Sequence, residues 1–353
     1  MAMLLHEVYD PILKQELVRS SHFPRLRYMG SKFKVIPYLT SILARLNFET
    51  ALDAFCGSCV VGYAMKEMGK QVTANDFLHF PATVARAVIE NPGVALTADD
   101  INHLLSESAD GRHFIQDTFH GLYFSDEDHA FLDSIWSHIE SMPVYKRELA
   151  IASLCLAVSR KQPRGVFTIT DLRYDDGRKN LHRSLRELFL IAVHDYHRVI
   201  FDNGKQNNAI CQDVFTIDPA GYDLVYFDPP YVPLHDDNDY IKRYHFLEGL
   251  SVYWAGQRIM EHTATKKIEK KFTPFAYKRT IRQALRELIS LFRNSIIILS
   301  YSSNAYPEEQ ELYDILHEEK NDIEVFAVPH SYSFGTHATA LRRQVNEYIF
   351  VAR

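Results

Sequence analysis

Cysteine is scarce in this chain, with four residues among 353. So few cysteines in so long a chain do not form a disulfide framework, and this usage is typical of a reducing compartment. Cys56 and Cys59 have the C-x-x-C spacing of redox and zinc sites, but Cys155 and Cys211 are isolated, so an all-cysteine zinc site would need three unrelated segments to converge. We interpret the pair as two small side chains in a tight turn. The histidines form no H-x-x-x-H pair with an intervening acid, so no catalytic metal is predicted.

Long apolar runs and an excess of positive charge are also missing. No apolar stretch approaches the roughly 20 residues that a membrane-spanning helix needs, and residues 1–9 show no basic region followed by an apolar core. We therefore expect a cytoplasmic protein with no membrane partner. The formal net charge of -6 argues against the globally basic surface of a simple nucleic-acid coat, but a local basic groove would be hidden in that sum.

The chain has the composition of a globular protein, with 46% apolar and 24% charged residues. Apolar spacing predicts a helix over 33–46, a strand over 50–55, a helix over 60–68 and a strand over 71–75. Strand, turn, helix and strand in this order open a doubly wound sheet. We therefore expect an α/β fold.

The middle of the chain, from about 80 to 200, is mostly helical in its apolar pattern, and strand patterns return at 208–211 and 222–227. Two last strands, over 323–328 and 346–351, predict an antiparallel end to the sheet. The prediction is a Rossmann-like sheet with an antiparallel C-terminal strand and an inserted, mostly helical module. The predicted domains are a catalytic and cofactor-binding domain, 1–79 with 206–353, and the inserted module, 80–205.

The strongest local signal is Asp228-Pro229-Pro230-Tyr231, which ends an apolar strand. Ligands of open α/β sheets bind at the carboxyl ends of strands, so this tetrapeptide is expected at the active edge. The prolines leave carbonyl groups stiffly presented to accept hydrogen bonds from an amine, the Asp228 carboxylate accepts another, and the Tyr231 ring can stack on a base. Such acceptors stabilise the positive charge that develops on an amine attacking a sulfonium methyl group. The alternative is a turn in which the prolines merely end the strand.

Two further motifs lie near the first strands. Small residues in 53–59 let the backbone approach a ligand, and the helix that follows favours a negatively charged group such as the carboxylate of a methionine moiety. Asp76 ends the next strand, where an acid can bind ribose hydroxyls; the alternative is an acid that caps the helix beginning after Phe77. The hexapeptide 27–32 supplies the aromatic ring of Tyr28 and the cation of Lys32, although alone it would be an ordinary loop before a helix.

In this order the motifs resemble the Dam-like family of adenine-specific DNA methyltransferases. The resemblance runs through 28–32, 53–59, 75–77 and 228–231 and continues at 300–304, 330–335 and 346–348. It implies transfer of a methyl group from S-adenosylmethionine to the N6 amine of adenine in DNA. The catalytic residues are then Asp228, Pro229, Pro230 and Tyr231, and the candidate cofactor contacts are Tyr28, Lys32, Asp53, Phe55, Gly57, Ser58, Asp76, Phe77, Asp213 and Asp228.

Two positions depart from the family's pattern. Cys59 stands where a third small glycine is usual, and Tyr28 stands where tryptophan is more typical. The second change is conservative for a stacking face. The first bears on how tightly the turn after the first strand can pack.

A paired adenine must be flipped out of the duplex, which costs a few kcal/mol that contacts to double-stranded DNA must offset. The resemblance implies that the module 80–205 reads the DNA sequence. The alternative for each basic cluster is a solvated surface, and for the aromatic residues of 240–254 it is core packing. The candidate DNA contacts are Arg164, Arg173, Arg178, Tyr244, Lys266 and Lys267, and Lys270 and Lys271 are further candidates for phosphate contacts.

Three functions fit this sequence. The first is a site-specific adenine DNA methyltransferase, for which a cognate restriction endonuclease is a candidate partner. The second keeps the chemistry but acts on an RNA adenine or on the N4 amine of cytosine; Asp228 favours adenine, because the cytosine enzymes that this chain resembles more often carry serine there. The third is a non-catalytic DNA-binding protein, which would have no physical need for Asp228, Tyr231 and Asp76 together.

Overall fold

Short apolar runs form the central strands of one large sheet. The computed structural model of the chain describes residues 5–6, 17–108, 110–168, 177–233, 240–333 and 342–353. Continuous apolar runs such as Leu224–Phe227 are typical of strands that are covered on both faces. The strands are β1 (Leu5–His6), β2 (Thr50–Asp53), β3 (Gln71–Asp76), β4 (Asn208–Cys211), β5 (Leu224–Phe227), β6 (Val232–Pro233), β7 (Ile296–Ser302), β8 (Ala305–Tyr306), β9 (Ile323–Ser333) and β10 (Arg342–Ala352).

Eight of these strands form the sheet in the order β1-β9-β10-β7-β5-β2-β3-β4. All neighbours from β7 to β4 are parallel, and β10 is antiparallel to both β7 and β9. The chain therefore proceeds outward in one direction from β2 to β4 and then returns to the other side of β2 at β5. This reversal creates a topological switch point between β2 and β5, where open α/β sheets bind their ligands. The prediction of a mostly parallel sheet with an antiparallel C-terminal strand is confirmed.

Helices cover both faces of the sheet. They are α1 (Val18–Ser21), α2 (Ile36–Leu43), α3 (Val60–Glu67), α4 (His79–Ala85), α5 (Ala98–Leu104), α6 (Phe114–Thr118), α7 (Asp126–Ile139), α8 (Val144–Lys161), α9 (Leu185–His197), α10 (Tyr240–Ser251), α11 (Ile281–Leu291) and α12 (Glu309–His317). Alternation along the strands supplies apolar side chains to each face. Leu52, Val225 and Leu299 point to the face covered by α11 and α12, whereas Ala51 and Tyr226 belong to the larger core on the other face.

The helical region 80–205 shares its core with the sheet. The long helix α8 packs on α4, α9 and α10, and residues of α8 such as Leu149 belong to the same buried cluster as Val72 and Ala74 of β3. This shared core means that burial alone does not separate 80–205 from the sheet. The division into a catalytic domain and an inserted recognition module stays a prediction.

Several element ends differ from the predictions. The helix predicted over 33–46 begins as a 3-10 turn, Lys32–Lys34, and becomes α-helical only over Ile36–Leu43. The last two strands are longer than their apolar patterns indicated, because antiparallel pairing between Ser333 and Arg342 extends the ladder into polar sequence. Within the described ranges no helix is long and apolar enough to cross a membrane.

Candidate active site

A cavity of about 970 Å³, including space that is open to solvent, lies at the carboxyl ends of β2, β3 and β5, at the switch point of the sheet. Four stretches that carry the predicted motifs meet there: the segment before α2, the turn after β2, the turn after β3 and the tetrapeptide after β5. The start of α10 and residues of 270–276 complete the lining. The cavity brings together twelve of the predicted catalytic and cofactor residues, which are Tyr28, Lys32, Asp53, Phe55, Gly57, Ser58, Asp76, Phe77, Asp228, Pro229, Pro230 and Tyr231.

A buried group of charged side chains forms one wall of this cavity. Lys32 Nζ donates to both carboxylate oxygens of Asp228, at 2.6 Å each, and to the carbonyl oxygen of Gly30 at 2.8 Å. Glu347 Oε1 lies 3.4 Å from the same nitrogen. The Tyr231 hydroxyl lies 2.9 Å from Asp228 Oδ1 and also contacts Glu347 Oε1. Two carboxylates therefore share one ammonium group and one phenol.

Burial and neighbouring charges act in opposite directions on the Asp228 carboxyl. Burial is the largest effect and raises its pKa, the Lys32 ammonium lowers it, and Glu347 raises it again, so that the pKa is about 6. Burial lowers the pKa of Lys32, but the nearby Asp228 and Glu347 carboxylates outweigh this effect and raise the pKa above its ordinary value. The lysine is therefore held as a cation within the wall.

The turn after β2 packs without the third glycine. Cys59 adopts a left-handed conformation with φ of 63°, and its buried Sγ donates to the carbonyl oxygen of Pro81 at 3.3 Å. Gly57 also has a positive φ, of 47°, and its amide donates to Asp76 Oδ2 at 2.9 Å. A Cβ atom at Gly57 would lie 2.7 Å from the ring of Tyr28, so a side chain does not fit there. The turn is thus tight despite the cysteine, because the thiol has a buried acceptor.

The Asp76 carboxylate links the turn after β2 to the turn after β3 by hydrogen bonds. Its Oδ2 accepts from Gly57 and its Oδ1 accepts from the amide of Leu78 at 2.9 Å. Burial raises its pKa, which these backbone hydrogen bonds counteract, and the result is about 6. Each carboxylate oxygen has two lone pairs, so Asp76 retains acceptor capacity toward the cavity.

Asp53 lies on the floor of the cavity and is nearly fully buried. Its Oδ2 accepts from the amide of Gly62 at 2.9 Å, whereas its Oδ1 is buried with no hydrogen-bond partner in the described part of the chain. Burial, and secondarily the negative charges of Asp228 and Asp76, raise the pKa of Asp53 to about 8. A buried oxygen without a partner is costly, so the geometry favours a donor from a bound ligand at this position.

Asp213 lies beside the main cavity. Its side chain accepts from the amide of Phe215 at 3.1 Å, and it lines a smaller cavity of about 310 Å³. Phe55 and Phe77 line both cavities, so the smaller cavity continues the larger one toward β4. The cofactor contact predicted for Asp213 stays a prediction.

The prediction that Tyr244 contacts DNA conflicts with its position in the structure. Its side chain is completely buried, its ring stacks on that of Tyr28 with centroids 4.9 Å apart, and its hydroxyl accepts from the amide of Met29 at 2.7 Å. The alternative of core packing holds for this residue, because helix α10 presents it inward against the cavity wall. Tyr244 therefore packs against Tyr28, which itself lines the cavity.

The predicted basic DNA contacts lie in different surroundings. Lys266 donates to Glu261 Oε2 at 2.7 Å on a half-buried turn, and Lys267 is half-buried beside it. Arg178 donates to the carbonyl oxygens of Arg160 and Gln162 at the end of α8. Arg173 and the side chain of Arg164 lie outside the described residues.

Sequence reasoning gave no role to one charged residue of the site, Glu347, which is buried in β10. Lys270 and Lys271, which the sequence offers as phosphate contacts, line the mouth of the cavity. Glu347 does leave a signal, since it is an acid placed among apolar residues of a strand, and a buried acid needs a partner.

A mostly parallel sheet with a tight glycine turn after β2, an acid after β3 and Asp-Pro-Pro-Tyr after β5 around one cavity defines a Rossmann-like methyltransferase. Comparisons with known proteins then narrow the class. A model of the family described as D12 class N6 adenine-specific DNA methyltransferase matches residues 28–315. The chain belongs to this family.

Three curated relatives agree with this assignment. The chain is similar to the Type II methyltransferase M2.HphI of Haemophilus parahaemolyticus, with 28% identity over 88% of this chain and 92% of that protein. It is 26% identical to the modification methylase StsI of Streptococcus sanguinis and 24% identical to the Type II methyltransferase M.FokI of Planomicrobium okeanokoites, over 92% of this chain in both cases. It spans only 51% and 52% of the lengths of those two proteins. The predicted adenine-specific DNA methyltransferase activity is thereby confirmed at the level of the family.

Proposed function

We propose that the chain methylates the N6 amine of a flipped adenine at a specific site in double-stranded DNA, with S-adenosylmethionine held in the large cavity. One observation carries this proposal: Asp228 and Pro229 face the same cavity as Tyr28, Asp53 and Asp76, so an amine acceptor and a cofactor site share one space. When bound, the cofactor supplies a methyl group on a positively charged sulfur, and the N6 lone pair forms the new bond while the electron pair of the broken carbon–sulfur bond stays on sulfur.

The residues of the cavity fit such a cofactor. The unpartnered Oδ1 of Asp53 is suited to an ammonium donor, and the acceptor capacity of Asp76 is suited to ribose hydroxyls. Gly57 and Ser58 lie at the start of α3, where a helix N-terminus suits a carboxylate, and Lys32 lines the cavity beside them with its ammonium bonded to Asp228 and Gly30. Phe55 and Phe77 supply apolar faces for a purine, with Asp213 beside them.

Asp228 and Pro229 would position the amine. The Asp228 carboxylate accepts one N6 hydrogen and the Pro229 carbonyl the other, which turns the nitrogen lone pair out of the ring system and toward the methyl group. A negative carboxylate hydrogen-bonded to the amine stabilises the positive charge that develops on nitrogen. The nitrogen then releases one proton, which the Asp228 carboxylate can accept and pass to solvent. The ring of Tyr231 lines the same cavity and offers a face to the base, and Pro230 keeps the turn rigid.

DNA recognition would use surfaces next to the cavity. Lys270 and Lys271 lie at its mouth and continue the basic run that begins at Lys266 and Lys267, which suits contacts to phosphates around a flipped nucleotide. The helical region 80–205 is our candidate for reading the sequence. The printed names of the relatives, modification methylase and Type II methyltransferase, support a role in restriction and modification with a cognate endonuclease.

A methyl-transfer assay with labelled S-adenosylmethionine and duplex DNA tests the proposal. We expect N6-methyladenine after digestion to nucleosides, and we expect Asp228→Asn to lower the rate about 100-fold or more. Asp218→Asn is the matched control, because Asp218 is exposed in a loop away from the cavity and should leave the rate unchanged. Label in RNA or in cytosine, or an active Asp228→Asn variant, would contradict the proposal.

A further inference from the structure

Glu347 is a buried acid that the methyl-transfer chemistry described above does not use. It lies on β10, paired in register with Ser302 of β7, and only 1% of its surface is exposed. Its Oε1 accepts from Ser300 Oγ at 3.0 Å and contacts the Tyr231 hydroxyl. Lys32 Nζ lies 3.4 Å away. All three of these partners belong to the catalytic wall or to the strand beside it.

The Lys32 ammonium neutralises the charge of Asp228, and Glu347 can offset this neutralisation. Lys32 holds both oxygens of Asp228, so this pair alone has no net charge. A neutral ion pair gives little electrostatic stabilisation to an amine that becomes positively charged during the reaction. With Glu347 ionised, one ammonium faces two carboxylates, and the group carries one net negative charge beside the amine.

Resting on the function proposed above, we propose that Glu347 is a positioning residue of the methyl-transfer site, which holds Lys32 and the Tyr231 hydroxyl and thereby keeps the Lys32 ammonium from fully neutralising Asp228 beside the substrate amine. Glu347 itself does not touch the substrate. It acts by competing with Asp228 for the same two donors, and Ser300 fixes its carboxylate in the orientation that reaches both.

Replacement of Glu347 by its neutral isostere tests this role directly. We expect Glu347→Gln to lower the single-turnover rate of methyl transfer about 10- to 100-fold, while the dissociation constants for cofactor and DNA change by less than about threefold. Glu347→Asp keeps the charge and should recover part of the lost rate. Glu324→Gln is the matched control: Glu324 is a sheet glutamate at the opposite end of the neighbouring strand, bonded to Arg353 at 2.6 Å.

A double variant separates the charge from the packing of Glu347. Lys32→Met leaves two facing carboxylates, and Lys32→Met with Glu347→Gln restores one net negative charge. At saturating cofactor the double variant should therefore transfer methyl groups faster than Lys32→Met alone. If Glu347→Gln is too unstable to purify because the buried Lys32 ammonium has lost one of its two carboxylates, this comparison decides the question, since both of its members lack the lysine. Additive losses in the double variant would overturn the proposal.

A titration without cofactor or DNA provides a readout that packing does not move. The groups facing Asp228 are Lys32, Tyr231 and Glu347, with Asp53 and Tyr226 farther along the wall. Removal of the Glu347 charge should lower the pKa of Asp228, measured by carboxyl carbon NMR and assigned with Asp228→Asn. The acid limb of the rate profile should shift to lower pH in parallel.

The outcomes distinguish this inference from the proposed function. If the wild-type chain methylates adenine but Glu347→Gln does so at the wild-type rate with an unchanged Asp228 pKa, only the role of Glu347 is refuted. If the wild-type chain does not methylate adenine in DNA, the proposed function fails, and the titration still reports whether Glu347 sets the charge state of Asp228.

Discussion

Gly57→Ala is the substitution whose effect follows most directly from the geometry of the cavity. A Cβ atom at this position would lie 2.7 Å from Cε1 and 3.3 Å from Cδ1 of Tyr28. The Tyr28 ring has little room to move away, because the Tyr244 ring stacks on it and the centroid of the Phe80 ring lies 5.9 Å from its own. Both the backbone conformation and the packing of the cofactor site therefore oppose the extra methyl group.

Two effects of Gly57→Ala are expected to lower the free energy of unfolding. An alanine with a positive φ costs about 1 kcal/mol, and overpacking a close-packed site costs about 1–3 kcal/mol. We therefore expect the free energy of unfolding to fall by about 2–4 kcal/mol. Because the Gly57 amide donates to Asp76, the displacement should reach this predicted cofactor contact and weaken cofactor binding about tenfold or more.

Denaturant unfolding and titration calorimetry measure these two effects. Gly69→Ala is the matched control: Gly69 has a φ of 80° and a Cβ atom there would meet nothing within 4 Å, so only the backbone cost of about 1 kcal/mol applies. In a Tyr28→Ala background the extra cost of Gly57→Ala should disappear. The reasoning is refuted if Gly57→Ala costs no more than Gly69→Ala, or if removal of the Tyr28 ring leaves the difference intact.

Three further predictions concern the cofactor site and DNA recognition. Asp76→Ala should raise the dissociation constant of the cofactor about tenfold or more by calorimetry, and an unaltered constant would remove Asp76 from the site. Burial raises the pKa of Asp53 from 3.8 to about 8, so the folded chain binds this proton more tightly than the unfolded chain. The free energy of unfolding of the cofactor-free protein should therefore fall as pH rises between these two values, and Asp53→Asn should flatten that slope; an unchanged slope would show that Asp53 is ionised throughout. Exchange of 80–205 with the corresponding region of a relative should change which sequence is methylated, as read by sequencing of methylated DNA; an unchanged target would move recognition to 232–275.

Local sequence was sufficient for the elements whose signals are contiguous. The strand Asn208–Cys211 was predicted with its observed bounds. Leu224–Phe227 lies within the predicted strand, because a parallel strand buried on both faces needs an unbroken apolar run. Asp228 and Asp76 were placed correctly at strand ends, since the carboxyl edge of such a sheet is where its ligands bind. These predictions depended only on residues that are close together in the sequence.

Other features depend on residues far apart in the sequence. Whether Tyr244 faced DNA or the core depended on which side of α10 packs against Tyr28, and its apolar spacing allowed both interpretations. The left-handed turn at Cys59 is stabilised by an acceptor on Pro81, which no local pattern identifies. Glu347 belongs to the site only because β10 is inserted beside β7.

The sequence by itself determined the class of sheet, the order of its motifs and the chemistry of Asp228-Pro-Pro-Tyr231, because these are written in short stretches with fixed spacing. Tertiary structure alone decided the charge balance around Asp228. That balance depends on Lys32 and Glu347, which come from opposite ends of the chain and meet only when β10 pairs with β7. Electrostatic interaction depends on distance and burial rather than on separation along the chain, so the folded sheet sets the net charge beside Asp228.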